Sequence, residues 1–288
     1  MQNSRSYFRP LLAIATISTL QLAAPHASAN TSDLQDRAVT QGSTPLQLEI
    51  EKQRQRLSSP EIEERREALA RLRSLQHPHA SRVALDALDD PAPVVRATAA
   101  FSVLSLPADE SAASLIPLLS DREEFVRQQV AYALGQTRSR QGVAALVERL
   151  TDKKDSVRGA AAVALGEIAD ASAVTALAAI LNPQAGLTQK KDKKSKPEKN
   201  PFVLRAAAHS LGQIGNRAAS PALIAVLQDE KAEDDVRREA AVALGAIGDA
   251  AAIPALREVL TARDPYLAGA AHEAIKKISR LQATGGGV

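Results

Sequence analysis

The sequence predicts an all-α chain assembled from repeated antiparallel helix pairs, and three observations carry that expectation. Of 288 residues 45% are apolar, yet Trp and Cys are absent and only four Phe and three Tyr occur. A core so dominated by Ala, Leu and Val suits close-packed helices better than a sheet. Second, VRATAAFSVL (95-104), VRQQVAYALG (126-135), VRGAAAVALG (157-166) and VRREAAVALG (236-245) align without gaps, with VLRAAAHSLG (203-212) a looser copy. Third, in DDVRREAAVALGAIG (234-248), counting Arg237 as zero, apolar residues fall at -1, +3, +4, +6, +7 and +10. At 100° per residue they form one face of a helix.

In chain order, the first segment reads as a secretory signal over residues 1-29. Arg5 and Arg9 precede an apolar stretch from Leu11 to Ala24, and Ala27-Ser28-Ala29 offers small residues for cleavage before Asn30. Fourteen residues are too few for a permanent span, which takes about 20. The mature chain is therefore expected outside the cytoplasm, periplasmic or extracellular. Loss of Arg5 and Arg9 leaves 34 basic against 33 acidic side chains, about +1 rather than +3. With no cysteine, disulfides, thiolate nucleophiles and Cys-ligated metals are excluded. Residues 30-45 read as a flexible linker, 46-57 as a capping helix, 58-282 as the repeat array, and 283-288 as a flexible tail.

Within the array each unit divides into two helices. Asp249 is a suitable N-cap for DAAAIPALREVL (249-260), with Pro254 early, where a missing amide proton costs least. Gly248 suits the left-handed C-cap of the helix before it. Arg65, Arg96, Arg127 and Arg158 recur every 31 residues; from Gly166 to Gly212 the interval widens to 46, then returns to 33 at Gly245. The surplus is a lysine-rich insertion over 184-199, which contains QKKDKKSKPEKN. One helix pair cannot bury its apolar face alone, so stacked copies must supply the core.

A unit reading V-R-x-x-A-A-x-A-L-G-x-I-G-D and then A-x-x-A-L-x-x-x-L resembles the HEAT repeat, in its short Ala-rich class named after phycobilisome lyases. The resemblance spans about 58-282. It implies a right-handed α-solenoid of six to seven antiparallel helix pairs, with the V-R helices on the concave side. It also implies a structural ladder in which an Asp six residues before the Arg links neighbouring units; Asp90, Asp121 and Asp152 stand in that relation to Arg96, Arg127 and Arg158. Later units depart from this pattern, with Lys199, Lys231 and Ala262 near the Asp place, Arg205 shifted by one and Ala268 in place of Arg. The ladder is accordingly expected only in the first half.

Signatures of catalysis are missing from the sequence. It has no Gly-rich phosphate loop, nucleophile elbow or His-Glu-x-x-His helix, so no catalytic residue, metal or cofactor is assigned. Gly135, Gly166, Gly212 and Gly245 recur once per unit and read as points of close helix approach. His77 and His79 have no third ligand nearby, and the lone His272-Glu273 pair falls short of the several pairs that a di-iron hydroxylase of this repeat family needs.

A binding face is easier to place. The buried positions of the V-R helix centre at about 320° on a helical wheel, so +5 points away from the core. Through the units +5 reads Ala70, Phe101, Tyr132, Val163, His209, Val242 and Glu273, flanked by Gln128, Gln129, Gln136, Glu167, Gln213, Arg205, Arg238 and Glu239. An apolar stripe rimmed by amides and charges is the surface of a groove for a protein or peptide. The expected function is that of an exported, non-catalytic scaffold. Two alternatives stand beside it. One is a phycobilin-lyase-like or other small-molecule, oxidoreductase-type activity in the groove, implied by fold likeness alone. The other is anchoring to an anionic surface through Lys190, Lys191, Lys193, Lys194, Lys196 and Lys199. Nucleic acid is disfavoured, since no aromatic accompanies these lysines and the rest of the mature chain is near neutral.

Overall fold

The computed structural model describes residues 44-182 and 197-285. The signal segment, all but the end of the linker, most of the lysine insertion and the last three residues lie outside that range. Every regular element among the described residues is helical. Helix α1 (Pro45–Arg56) buries Ile50 and Gln53 against α2 (Ile62–Ser74), tied by Arg56 to Glu67 at 2.7 Å and Arg71 to Glu49 at 2.8 Å. Pairs then follow: α3 (Pro78–Ala84) with α4 (Pro93–Ser102), α5 (Ala108–Leu115) with α6 (Glu124–Thr137), α7 (Val143–Arg149) with α8 (Asp155–Ile168), α9 (Val174–Leu181) with α10 (Pro201–Ile214), α11 (Ser220–Gln228) with α12 (Asp234–Ile247), and α13 (Ile253–Glu258) with α14 (Pro265–Gly285). This is an α-solenoid. The V-R helices α2, α4, α6, α8, α10, α12 and α14 form one row, in which position 0 is Arg65, Arg96, Arg127, Arg158, Leu204, Arg237 and Ala268.

Local chemistry explains where each pair turns. At +11 the backbone goes left-handed: Gln76 at φ 47°, Arg138 at 53°, Ala169 at 57°, Gly215 at 71° and Gly248 at 73°. That residue ends the V-R helix, and the next one caps the following turn. Ser139, Asp170, Asn216 and Asp249 each accept a hydrogen bond from the N–H two residues on, as does the His77 imidazole from His79, so His77 is an N-cap. Leu72, Leu134, Leu165, Leu211 and Leu244, all at +7, are fully buried, each contributing about 2 kcal/mol by the area it removes from water.

Successive V-R helices touch along their length, whereas successive partner helices touch far less. A two-layer strip whose rows are unequally spaced bends toward the tighter row, so the V-R row faces inward. Glycine sets that spacing from unit three onward. A Cβ on Gly135, Gly212 or Gly245 would stand 2.8, 2.9 or 2.8 Å from the Cα of Ala164, Ala243 or Ala274. The first two units carry Arg73 and Leu104 at the same position, and there the V-R helices meet less extensively. Where Ser replaces Ala at +6 it stitches backbones: Ser102 Oγ donates to the Leu69 carbonyl at 3.1 Å and Ser210 Oγ to that of Ala162 at 2.8 Å.

The expected arginine ladder links neighbouring units, and it is longer than the sequence implies. Each guanidinium reaches forward to the carboxylate 25 residues on, and takes from its own turn, six residues back, only backbone carbonyls. Arg96 Nε and Nη2 donate to Asp121 at 2.7 and 2.9 Å, while Nη1 donates to the Asp90 and Pro91 carbonyls at 2.7 and 3.2 Å. The ladder also starts one unit earlier, at Arg65 with Asp90, and continues through Arg127 with Asp152. Finally it does not stop there. Arg158 makes the same fork on Glu198 at 2.5 and 3.1 Å, across the insertion. The acid place in unit five is thus Glu198 rather than Lys199, and the insertion ends before Glu198, not at 199. Beyond it the pattern lapses, and Arg237 Nε donates to the Leu227 carbonyl at 3.1 Å instead.

Burial alone would raise the Asp90, Asp121 and Asp152 carboxyls, but bonds from the arginine and from a backbone N–H outweigh it and hold each pKa below the usual value; Glu198 behaves alike. Groups with depressed folded-state pKa values stabilise the fold above the unfolded value of about 4, and that stability is lost as pH falls through the folded value. Wild-type midpoints in urea should therefore drop as pH is lowered below about 4. Asp121→Asn should cost about 2 kcal/mol at neutral pH, between the values for exposed and fully buried pairs, and flatten the acid limb. An unchanged acid limb would show that the ladder is not its source. In the caps, Gly215→Ala meets nothing within 4 Å, so φ +71° alone should cost about 1 kcal/mol, and Ala169→Gly should gain a similar amount in the same titration.

Candidate binding face

Helical geometry puts -2, +2, +5 and +9 of each V-R helix on one surface, at about 140° to 200° on the wheel. The +5 stripe is less open than the sequence implies. Phe101, Tyr132 and Val163 are half-buried and pack against the core, whereas His209 and Val242 stand exposed. Arg73 lies over the Phe101 ring, its guanidinium carbon 5.2 Å from the centroid.

The most exposed aromatics lie seven residues upstream, at -2: Phe125 is 49% exposed, Phe202 41% and Tyr266 73%, beside Val242 at 52%. Sequence reasoning passed over this row, although -2 falls about 20° from +5 on the same wheel. Phe202 has a specific seat. A Cβ on Gly159 would come within 2.1 Å of its ring, so the missing side chain on α8 is the space that the ring occupies. Tyr266 sits beneath Arg238, 5.7 Å from the ring centroid.

Polar groups divide by position along the row. In units five to seven they pair with one another: Arg205 with Asp235 at 3.0 Å, His209 Nδ1 with Glu239 at 2.8 Å, Arg238 with Asp264 at 3.3 Å, and Glu273 with Lys276 at 3.3 Å. His272 is exposed, and no group of potential metal ligands occurs among the described residues. In units three to five the Gln128, Gln129, Gln136 and Gln213 side chains hold no hydrogen-bond partner among the described residues. Gln213 lies over Gly166 and Glu167 over Gly135, their Oε atoms 2.3 and 2.4 Å from where a Cβ would be. Contact with that notch strips water from the Glu167 carboxyl and raises its pKa, with Arg138 pulling it down.

Of the lysine set only Lys199 lies within the described residues; it is exposed, and its N–H donates to Glu198 at 2.9 Å. Lys190, Lys191, Lys193, Lys194 and Lys196 fall outside. Two shallow depressions lie along the ladder edge, lined in part by Asp90, Arg96, Asp121, Arg127 and Asp152, and not on the inner face. No described helix is long and apolar enough to cross a membrane.

These features define a helical-repeat protein whose open face is built from one helix of every unit. The chain matches the family model for HEAT repeats over residues 50–134, 112–190 and 196–276, and it belongs to that family. No curated protein matches it. Among solved structures it is similar to human deoxyhypusine hydroxylase in complex with glycerol, at 19% identity over 86% of this chain and 99% of that one, TM-score 0.36. The complex of CpcE and CpcF of phycocyanin lyase from Nostoc sp. PCC7120 is similar at 21% over 81% and 88%, TM-score 0.47. An engineered protein is similar at 21% over 80% and 68%, TM-score 0.49. Likeness at these identities is one of fold only.

The Phe202 seat is open to a direct check. Gly159→Ala should push the ring out and lower the denaturation midpoint by about 1 kcal/mol, while adding Phe202→Ala should recover most of that loss, since the two sites share one space. Additive losses would show that the ring is not seated there.

Proposed function

We propose that the chain is an exported, non-catalytic scaffold that binds a protein or peptide segment along the inner row of V-R helices. The observation that supports it is the concentration of exposed apolar side chains there. Of eight large hydrophobic residues exposed among the described ones, Phe125, Phe202, Val242 and Tyr266 share this face. Half-buried Phe101, Tyr132 and Val163 extend it, and amides with unused hydrogen-bonding capacity border it. Exposed aromatics beside free amides match what a binding interface presents before its partner arrives. Export rests on the ordered basic, apolar and small-residue regions of residues 1-29.

Protein recovered from the extracytoplasmic fraction should begin at Asn30 by N-terminal sequencing. Affinity capture from that fraction should retain a partner that Phe125→Ser with Phe202→Ser loses by about tenfold or more, while Leu260→Ser on the partner-helix row keeps it. Equal retention by the inner-face variant, or a chromophore or metal copurifying in stoichiometric amount, would overturn the scaffold reading.

A further inference from the structure

Charge bookkeeping on the inner face singles out one group. Six carboxylates occupy the -2, +2, +5 and +9 positions: Glu63, Glu67, Glu167, Asp235, Glu239 and Glu273. Five are paired with an Arg, Lys or His side chain, namely Arg66, Arg56, Arg205, His209 and Lys276. Glu167 alone has no such partner within ion-pair distance among the described residues; Arg138 acts on it only through space. Glu167 is exposed, and one of its carboxylate oxygens lies over the Gly135 notch of α6, where a side chain on that glycine would stand.

The neighbours of Glu167 are also unpaired. In the +9 row Gln136 precedes it and Gln213 follows, one on each adjoining V-R helix, and neither side chain has a hydrogen-bond partner among the described residues. Tyr132 and Val163 lie one turn back on the same surface, and Phe125 and Phe202 two turns beyond them. An uncompensated acid lying against a helix, between two free amides and about three turns along the same surface from exposed aromatics, is complementary to one cation on an otherwise uncharged segment. The self-paired charges of units five to seven offer no such vacancy.

We propose, resting on the scaffold reading above, that Glu167 is the specificity-determining residue of the inner face and receives a single Lys or Arg side chain of an extended peptide segment. Gln136 and Gln213 hydrogen-bond the segment's backbone on either side, and its apolar side chains lie on Phe125, Tyr132 and Phe202. Replacing the cation by a neutral side chain leaves Glu167 partly desolvated and unpaired, which makes the contact discriminating as well as attractive.

The test is selection from a random displayed-peptide library on the full chain, keeping binders that Phe125→Ser with Phe202→Ser abolishes. The expected binders share one Lys or Arg at a fixed distance from an aromatic or aliphatic residue. Changing that residue to Gln should weaken binding to the wild-type chain by about tenfold, and to the Glu167→Gln variant by no more than about twofold. Circular dichroism of Glu167→Gln should match wild type, since the side chain holds no partner in the fold. Face-dependent binders without a shared cation, or equal losses on wild type and variant, overturn the role of Glu167 and leave the scaffold reading standing. Failure to select any face-dependent binder overturns both. Self-association of the chain that Glu167→Gln abolishes assigns the face to a second copy, and overturns the peptide.

Discussion

Each guanidinium in the series Arg65, Arg96, Arg127 and Arg158 is held on two sides, by backbone carbonyls of its own turn and by a carboxylate of the next unit. A forked contact of this kind fixes both the distance and the rotation between neighbours, because both nitrogens must meet both oxygens. The stacking of one helix pair on the next follows from it, and so do the continuity of the leucine core and the alignment of the inner face. The Arg96 and Asp121 side chains are almost wholly removed from solvent, so water competes little for the pair.

Past Glu198 the register is kept by a different device. Gly212 and Gly245 let the α10, α12 and α14 backbones approach until only an Ala fits between them. Arginine forks specify alignment through electrostatics, and glycine notches through the exclusion of any other distance. The two overlap at α6 and α8, where Gly135 and Gly166 accompany the rungs of Arg127 and Arg158. That overlap explains why the array tolerates an insertion at this place. Nineteen residues, 182-200, separate α9 from α10, against five, 229-233, in the next unit. Closing the longer loop costs only about 1 kcal/mol more, and Glu198 and the N-cap Asn200 restore the contacts on its far side.

A face assembled this way repeats geometrically without repeating chemically. In units three to six the positions that stacking requires, near -1, +4, +6, +7 and +8, hold only Val, Ala, Leu and Gly apart from Ser210. Those at -2, +2, +5 and +9 vary between units in both residue type and exposure, from the buried Ala160 to the open Tyr266. Unpaired amides gather in units three to five, and ion pairs in unit one and units five to seven. In the proposed scaffold, selectivity for a partner would reside in these variable positions, and Glu167 is the clearest instance, a carboxylate with no ion-pair partner among the described residues.

Helix pairs, their caps and the inward leucines are legible from the sequence because their causes are local. A 3.6-residue period, an Asp before a turn and a Gly after a helix each act within a few residues, and the 31-residue repeat states them several times over. The inner face was half legible. Wheel arithmetic puts Val242 and His209 on the exposed side, where they are found, but it cannot tell that Phe101, Tyr132 and Val163 are half-buried against the core, or that Phe202 rests where Gly159 lacks a side chain. Nor does it show that Arg158 reaches Glu198 across the insertion. By itself the sequence determined what each unit is. Only the tertiary structure decided how far each unit is offset from the next, because that offset depends on contacts between residues 25 to 48 apart, whose partners no periodicity within one helix encodes.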